Sequence, residues 1–90
     1  MTSYLSDSTA MFLTIASLKG KQFEGEARAL NVPTTSGEIT VLDHHRPLIT
    51  ILREGTATIT AADGKKAKIP LKGGFLEMDA ENHLKILLDE

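Results

Sequence analysis

Alternation with a period of two runs through most of this chain. Leu13 and Ile15 alternate with Phe12 and Thr14, and the same spacing recurs up to Ile86. Successive side chains of a β-strand point to opposite faces, so this spacing is typical of half-buried strands. No stretch of roughly 12 residues has the i, i+3, i+4, i+7 stripe of an amphipathic helix. The pattern therefore predicts an all-β fold.

Glycine, proline and acidic turn residues divide the alternation into short strands. Asp63-Gly64 separates a threonine-rich run from a lysine-rich run and predicts a hairpin, because both residues tolerate positive φ. Pro33 is expected to close the strand that precedes it. Pro70 is expected at a sheet edge or bulge, because proline has no N–H for the ladder. Further reversals are expected at Gly20, Gly25, Gly37, Gly55 and residues 79–82.

Length and composition limit the chain to one small domain. Ninety residues with 41% hydrophobic residues and no cysteine exclude a disulfide-stapled scaffold and cysteine-based zinc sites. A net charge of −2 argues against nonspecific binding to nucleic acid or anionic membranes. Residues 1–10 contain no Lys or Arg and are expected to be a flexible polar tail. Residues 11–90 are expected to form a β-sandwich or barrel.

The sequence offers little for catalysis. Asp43, His44 and His45 have the composition of a metal site, but adjacent strand side chains diverge and tetrahedral zinc needs three or four converging ligands. A solvated loop is the favoured interpretation, and a metal-dependent enzyme remains a minor alternative. His83 falls on the polar side of its strand and is expected to be exposed. No catalytic, cofactor-binding or metal-binding residue is predicted.

Three segments in order resemble one protein family. The first is the run from Leu13 to Gly25, in which Phe23 and Gly25 stand two apart after a strand and a glycine turn. The second is Gly37-Glu38-Ile39-Thr40-Val41-Leu42 followed by His45-Arg46-Pro47-Leu48. The third is Gly73-Gly74-Phe75-Leu76-Glu77-Met78, in which the glycine pair is expected to mark a strand start or a close backbone crossing. Together these segments resemble the N-terminal β-sandwich domain of the F-type ATP synthase epsilon subunit, the homologue of the mitochondrial delta subunit. The resemblance covers residues 11–89.

The resemblance implies a flattened β-sandwich of about ten short, mostly antiparallel strands in two sheets, with the family's C-terminal helical hairpin absent. It implies a non-catalytic rotor subunit of the central stalk, without cofactor, that links the gamma subunit to the membrane c ring. The implied location is peripheral, on the cytoplasmic face of the bacterial inner membrane. Carried over by motif, Glu38, Thr40 and His45 are the residues expected to contact the c-ring polar loops or gamma. No nucleic acid partner is expected.

Departures from the family pattern cluster near one loop. The family has glycine where His44 stands, and often a small flexible residue where Thr40 stands. An alternative function is a free-standing β-sandwich that binds a small ligand or carbohydrate. One tyrosine and no tryptophan make a poor supply of aromatic platforms for sugars.

Overall fold

The computed structural model describes residues 10–89, which form eight β-strands and contain no helix. The strands are β1 (Met11–Ser17), β2 (Gly20–Thr34), β3 (Gly37–Leu42), β4 (Leu48–Leu52), β5 (Gly55–Ala61), β6 (Lys66–Leu71), β7 (Gly74–Met78) and β8 (His83–Leu88). The all-β prediction is confirmed. Within residues 10–89 there is accordingly no helical segment with the length and apolarity needed to cross a membrane.

Strand β2 holds the fold together because it belongs to both layers of the sandwich. Its first half pairs with β1, and its second half lies between β3 and β5. The register shifts between Ala27 and Ala29, which marks Arg28 as the extra residue of a β-bulge. A bulge bends its strand and resets which side chains face inward. Ala27 and Leu30 can therefore both be fully buried.

Because each half of β2 pairs with different strands, the eight strands form two layers. One layer has the order β4-β7-β8-β1 and ends on the first half of β2, and the other has the order β3-β2-β5-β6. The layers also meet where Thr34 of β2 pairs with Leu52 of β4. Every pairing is antiparallel except that between β1 and β8, which is parallel. The predicted two-layered, mostly antiparallel sandwich is confirmed.

The predicted number of about ten strands is too high, because β2 continues through two residues that were expected to end strands. Gly25 pairs with Leu13 inside β2, and the strand runs past Pro33 to Thr34. The Pro33 carbonyl accepts a hydrogen bond from the backbone N–H of Arg53. The N–H and C=O of one strand residue point to the same side, so the missing donor of Pro33 faces away from β3 and costs that pairing nothing.

The alternation places the core as predicted. Leu13 and Ile15 of β1 and Leu84 and Ile86 of β8 are buried against residues of the second layer such as Ile59. In β5, Ala57 and Ile59 are buried, whereas Thr56, Thr58 and Thr60, which alternate with them, lie on the outer face. Pro70 lies in β6, which pairs only with β5 among the described strands, so its predicted edge position is confirmed.

The predicted Asp63-Gly64 turn and the predicted strand start at the glycine pair are both confirmed in their position. The Asp63-Gly64 turn joins β5 to β6, with Gly64 at φ 90° and the Asp63 carboxylate accepting from the backbone N–H of Lys65. Gly74 begins β7 at φ 144°, where an added Cβ would lie 2.1 Å from the carbonyl oxygen of Leu87. Only glycine fits such a backbone crossing, which accounts for the glycine pair.

Most of the expected N-terminal tail, residues 1–9, lies outside the described residues, as does residue 90. Ala10 is described and is 9% exposed. Its carbonyl accepts a 3.0 Å hydrogen bond from the side-chain amide of Asn82.

Candidate functional site

Glu38 and Thr40 lie on the outer face of β3, and both are exposed. Between and beyond them, Ile39 and Val41 point into the sandwich. Strand β3 pairs only with β2 within residues 10–89, so it forms an edge of the second layer. Glu38 therefore lies on a strand that presents both side chains and an open backbone edge to a partner.

The turn that precedes Glu38 is held by a buried hydroxyl. Thr34 is 1% exposed, and its Oγ1 donates to the carbonyl of Gly37 at 2.6 Å and accepts from the backbone N–H of Ser36 at 3.1 Å. The Thr34 carbonyl in turn accepts from Nε of Arg53 at 3.1 Å. These bonds fix the start of β3. The Glu38 side chain thus extends from a backbone segment that these hydrogen bonds hold in place.

Thr40 is oriented by a neighbouring amide. Nδ2 of Asn31 donates to Oγ1 of Thr40 at 2.9 Å. Asn31 also stands in register with Thr58 of β5, and Thr58 with Lys68 of β6. A polar row therefore crosses all four strands of this layer. Because the Thr40 hydroxyl accepts the bond from Asn31, its own O–H can donate to a partner on the outer face.

His45 lies in the loop 43–47 at the opposite end of β3 from Glu38. Its backbone N–H donates to the Leu42 carbonyl at 3.0 Å, and its ring Nδ1 donates to the carbonyl of Arg46 at 2.7 Å. The ring is exposed, with Nε2 directed away from this bond. Residues 38 and 42 alone are about 13 Å apart along the strand. The structure thus brings Glu38 and Thr40 together but separates His45 from both.

The Asp43-His44 pair takes part in a structural network. His44 adopts φ 62°, its backbone N–H donates to Oδ1 of Asn82 at 2.6 Å, and its ring Nδ1 contacts a carboxylate oxygen of Asp43. Asn82 also binds Ala10, so it joins the start of β1, the β3–β4 loop and the β7–β8 turn. No group of three or more His, Cys, Asp or Glu side chains within residues 10–89 is arranged to hold a metal ion.

His83 is half-buried, contrary to the expected exposure. Its Nε2 lies 3.0 Å from Oγ1 of Thr14, and its ring meets Phe12 edge to face with the centroids 5.2 Å apart. The parallel pairing of β8 with β1 brings Phe12 beside His83, and local sequence does not reveal this neighbour.

An apolar outer face on the first layer was not predicted. Ile49 is 73% exposed, Ile51 51%, Phe75 54% and Leu87 61%. A shallow groove of about 330 Å³ is lined by three of them, Ile49, Phe75 and Leu87. The sequence feature that could have indicated this face is the presence of apolar residues on both faces of β4 and β8, a pattern typical of strands covered on both sides. We refer to these four residues as the apolar face.

The chain matches one family of known proteins over nearly its whole length. Residues 10–90 match the family described as "ATP synthase, Delta/Epsilon chain, beta-sandwich domain". A similar curated protein is the ATP synthase epsilon chain of Allorhizobium ampelinum, which is 40% identical over 50 residues. That alignment covers 56% of this chain and 37% of the relative.

Two solved structures share the fold. One is a chain of the Euglena gracilis mitochondrial ATP synthase, solved with OSCP, F1 and c ring, with a TM-score of 0.85, 23% identity, and coverage of 91% of this chain and 52% of that chain. The other is a chain from the central stalk and c ring of the Tetrahymena thermophila mitochondrial ATP synthase, with a TM-score of 0.78, 13% identity, and coverage of 89% and 63%. The present chain thus spans roughly a third to two thirds of the length of these relatives.

Proposed function

Because the chain belongs to the delta/epsilon family of ATP synthase β-sandwich domains, we propose that it serves as a non-catalytic subunit of the central stalk of an F-type ATP synthase. In this role it links the gamma subunit to the membrane c ring while ion flow through the ring drives ATP synthesis. Its location is peripheral, on the cytoplasmic face of the bacterial inner membrane. The chain supplies contacts and no chemistry of its own.

The observation that carries this proposal is the rigid presentation of Glu38. A coupling part must transmit torque without slipping, which requires interactions of fixed position and direction. The buried Thr34 hydroxyl and the Arg53 side chain fix the turn before β3. The backbone position from which the Glu38 side chain extends is therefore fixed. A carboxylate held in this way suits charge-assisted hydrogen bonds to an arginine or lysine of a partner loop.

Thr40 and His45 extend the proposed contact along β3. Thr40 offers a donor beside Glu38, oriented by Asn31. His45 offers its second ring nitrogen at the far end of the strand, with the ring turned by its bond to Arg46. Because Glu38 and Thr40 lie on one edge strand and His45 lies in the loop that follows it, the three positions suit an extended partner surface such as the c-ring polar loops or gamma better than a single small ligand.

The test is copurification with the stalk. We expect the tagged chain to retain the cognate gamma subunit and the detergent-solubilised c ring, and Glu38→Gln to weaken ring retention without changing the melting temperature. Glu26→Gln is the matched control, because Glu26 is also an exposed strand carboxylate but lies on the other layer.

Three results would contradict the proposal. Failure of the native chain to bind gamma at micromolar concentration removes the assembly role. If Glu26→Gln and Glu38→Gln weaken c-ring retention equally, the contact does not depend specifically on β3. A marked loss of thermal stability in Glu38→Gln would make this carboxylate structural instead.

A further inference from the structure

The loop of residues 43–47 carries a charged side chain that the described part of the chain leaves unpaired. Arg46 is exposed, and its guanidinium makes no hydrogen bond or ion pair with the described residues. The loop contains one acid, Asp43, but Oδ1 of this carboxylate contacts the His44 ring and lies 3.4 Å from Nδ2 of Asn82. The positive charge of Arg46 is therefore available to a partner.

The backbone at Arg46 is held by its neighbours. Its carbonyl accepts a 2.7 Å hydrogen bond from Nδ1 of His45, whose backbone N–H donates to the carbonyl of Leu42 at 3.0 Å. Pro47 follows, and a proline restricts the backbone of the residue before it. A side chain that extends from a fixed backbone loses less conformational freedom on binding than one that extends from a loose loop. Arg46 is thus suited to a contact of defined position.

Glu38 and Arg46 place opposite charges at the two ends of β3. Residues 38 and 42 are about 13 Å apart along the strand, and the bond from His45 to Leu42 keeps the loop at the far end. Glu38, like Arg46, is exposed and makes no ion pair within the described residues. Exposed charges are screened over roughly 8 Å at physiological ionic strength, so these two act nearly independently. The proposed contact surface is therefore acidic at one end and basic at the other.

We propose that Arg46 is a second charged contact of the chain and binds an acidic side chain in the polar loops of the c ring. This inference rests on the proposed function, because the ring is the partner that Glu38 and His45 are proposed to contact. The ring surface then presents a base opposite Glu38 and an acid opposite Arg46. Arginine suits this contact because its planar guanidinium binds a carboxylate through two parallel hydrogen bonds.

Two opposite charges at separate positions set the direction in which the chain docks. A ring surface turned by half a rotation brings an acid against Glu38 and a base against Arg46, and like charges that face each other oppose binding. A single charge attracts the partner but does not select between these two orientations. The pair of charges therefore adds specificity to the contact as well as affinity.

Retention of the cognate, detergent-solubilised c ring by the tagged chain, assembled with gamma, tests the proposal. At low salt, Arg46→Glu should weaken ring binding at least about tenfold and Arg46→Gln about threefold. Lys68→Glu is the matched control, because Lys68 is an exposed base on β6, at the opposite edge of the second layer from β3. Binding of gamma alone and the melting temperature should stay at their native values in all three variants.

Charge exchange with the ring provides an independent test. Each acid of the cognate polar loops is replaced by lysine in turn, and each ring is tested against the native chain and Arg46→Glu. One replacement should weaken binding of the native chain and restore binding of Arg46→Glu at least about tenfold. Neutral replacement of the same acid by its amide should make Arg46→Gln bind as well as the native chain. A purely structural role of Arg46 produces neither result.

The outcomes separate this proposal from the proposed function. If the native chain retains the ring and Arg46→Glu retains it equally well, the role of Arg46 is wrong and the stalk function stands. Equal weakening by Lys68→Glu reduces the effect to net charge and also overturns the proposal, as does the absence of rescue by every ring replacement. Weakened binding of gamma instead of the ring in Arg46→Glu overturns it in favour of gamma. A native chain that retains neither partner contradicts the proposed function itself.

Discussion

The backbone N–H of His44 donates a 2.6 Å hydrogen bond to Oδ1 of Asn82, 38 residues further along the chain. These are also the two non-glycine residues with positive φ within residues 10–89, at 62° and 63°. Each residue lies in a tight turn, and the hydrogen bond between them holds the two turns together. The histidine-rich loop, which by composition alone resembles a metal site, is thus a structural joint between the β3–β4 and β7–β8 connections.

Replacing Asn82 with glycine separates its backbone role from its side-chain role. Glycine accepts positive φ without strain, but Asn82→Gly removes the bonds to His44 and Ala10. We expect a loss of about 1–3 kcal/mol in the free energy of unfolding, measured by urea denaturation. Unchanged stability would mean that these bonds add nothing beyond the turn conformation.

His44→Gly should be neutral or stabilising, by up to about 1 kcal/mol, because it relieves the strain of a non-glycine residue in the left-handed region. The bond to Asn82 uses the backbone N–H and survives the change. His45→Gly is the matched control, since His45 does not have positive φ and gains only chain flexibility in the unfolded state. Thermal unfolding of both variants should therefore rank His44→Gly above His45→Gly.

Gly74→Ala should be strongly destabilising. The new Cβ would lie 2.1 Å from the backbone carbonyl of Leu87, and β7 would have to separate from β8 to accommodate it. We expect a loss of about 3 kcal/mol or more. At Gly64, also with positive φ, an added Cβ meets nothing within 4 Å, so Gly64→Ala should cost only about 1 kcal/mol. Similar losses in the two variants, by denaturant titration, would contradict the steric account.

Thr34→Val should lose about 1–2 kcal/mol, because the buried Thr34 hydroxyl satisfies both Gly37 and Ser36. Thr58→Val, on the outer face of β5, changes the same atoms outside this turn and should be close to neutral. Amide hydrogen exchange in Thr34→Val should be faster than in the native chain mainly at residues 35–38. Uniform opening across the domain would argue against a local role.

The Asp79 carboxylate should contribute to acid sensitivity. A backbone hydrogen bond from His83 lowers the pKa of Asp79 below its ordinary value of 3.8, helped by the N–H of Glu81 and by Lys85. The folded state then binds a proton less readily than the unfolded state. The resulting stabilisation is complete above pH 3.8 and is lost as the pH falls through the lowered pKa.

Asp79→Asn keeps an oxygen acceptor for the turn but removes this titration. We expect the difference in melting temperature between about pH 7 and about pH 3 to be smaller in the variant than in the native chain. Glu81→Gln, in the same turn, serves as the control. An identical pH dependence in Asp79→Asn and the native chain would contradict the assignment.

Local sequence predicted much of the fold. The alternation at Leu13, Ile15, Leu84 and Ile86 identified strands and their buried faces, because a period of two fixes which side chains share a face. Asp63-Gly64 located a hairpin. The three motifs led to the family that the match over residues 10–90 then showed.

Tertiary structure decided which strands are neighbours, and with them the surfaces. Gly25 and Pro33 end strands by propensity, yet β2 continues through both because strands on its flanks satisfy its backbone. The apolar face and the half-buried His83 arise only when β8 lies beside β1 and β7. The sequence by itself determined strand faces and family, because these depend on spacing within short segments. The pairing of distant segments determined the surfaces available to partners, because exposure depends on neighbours that local spacing does not specify.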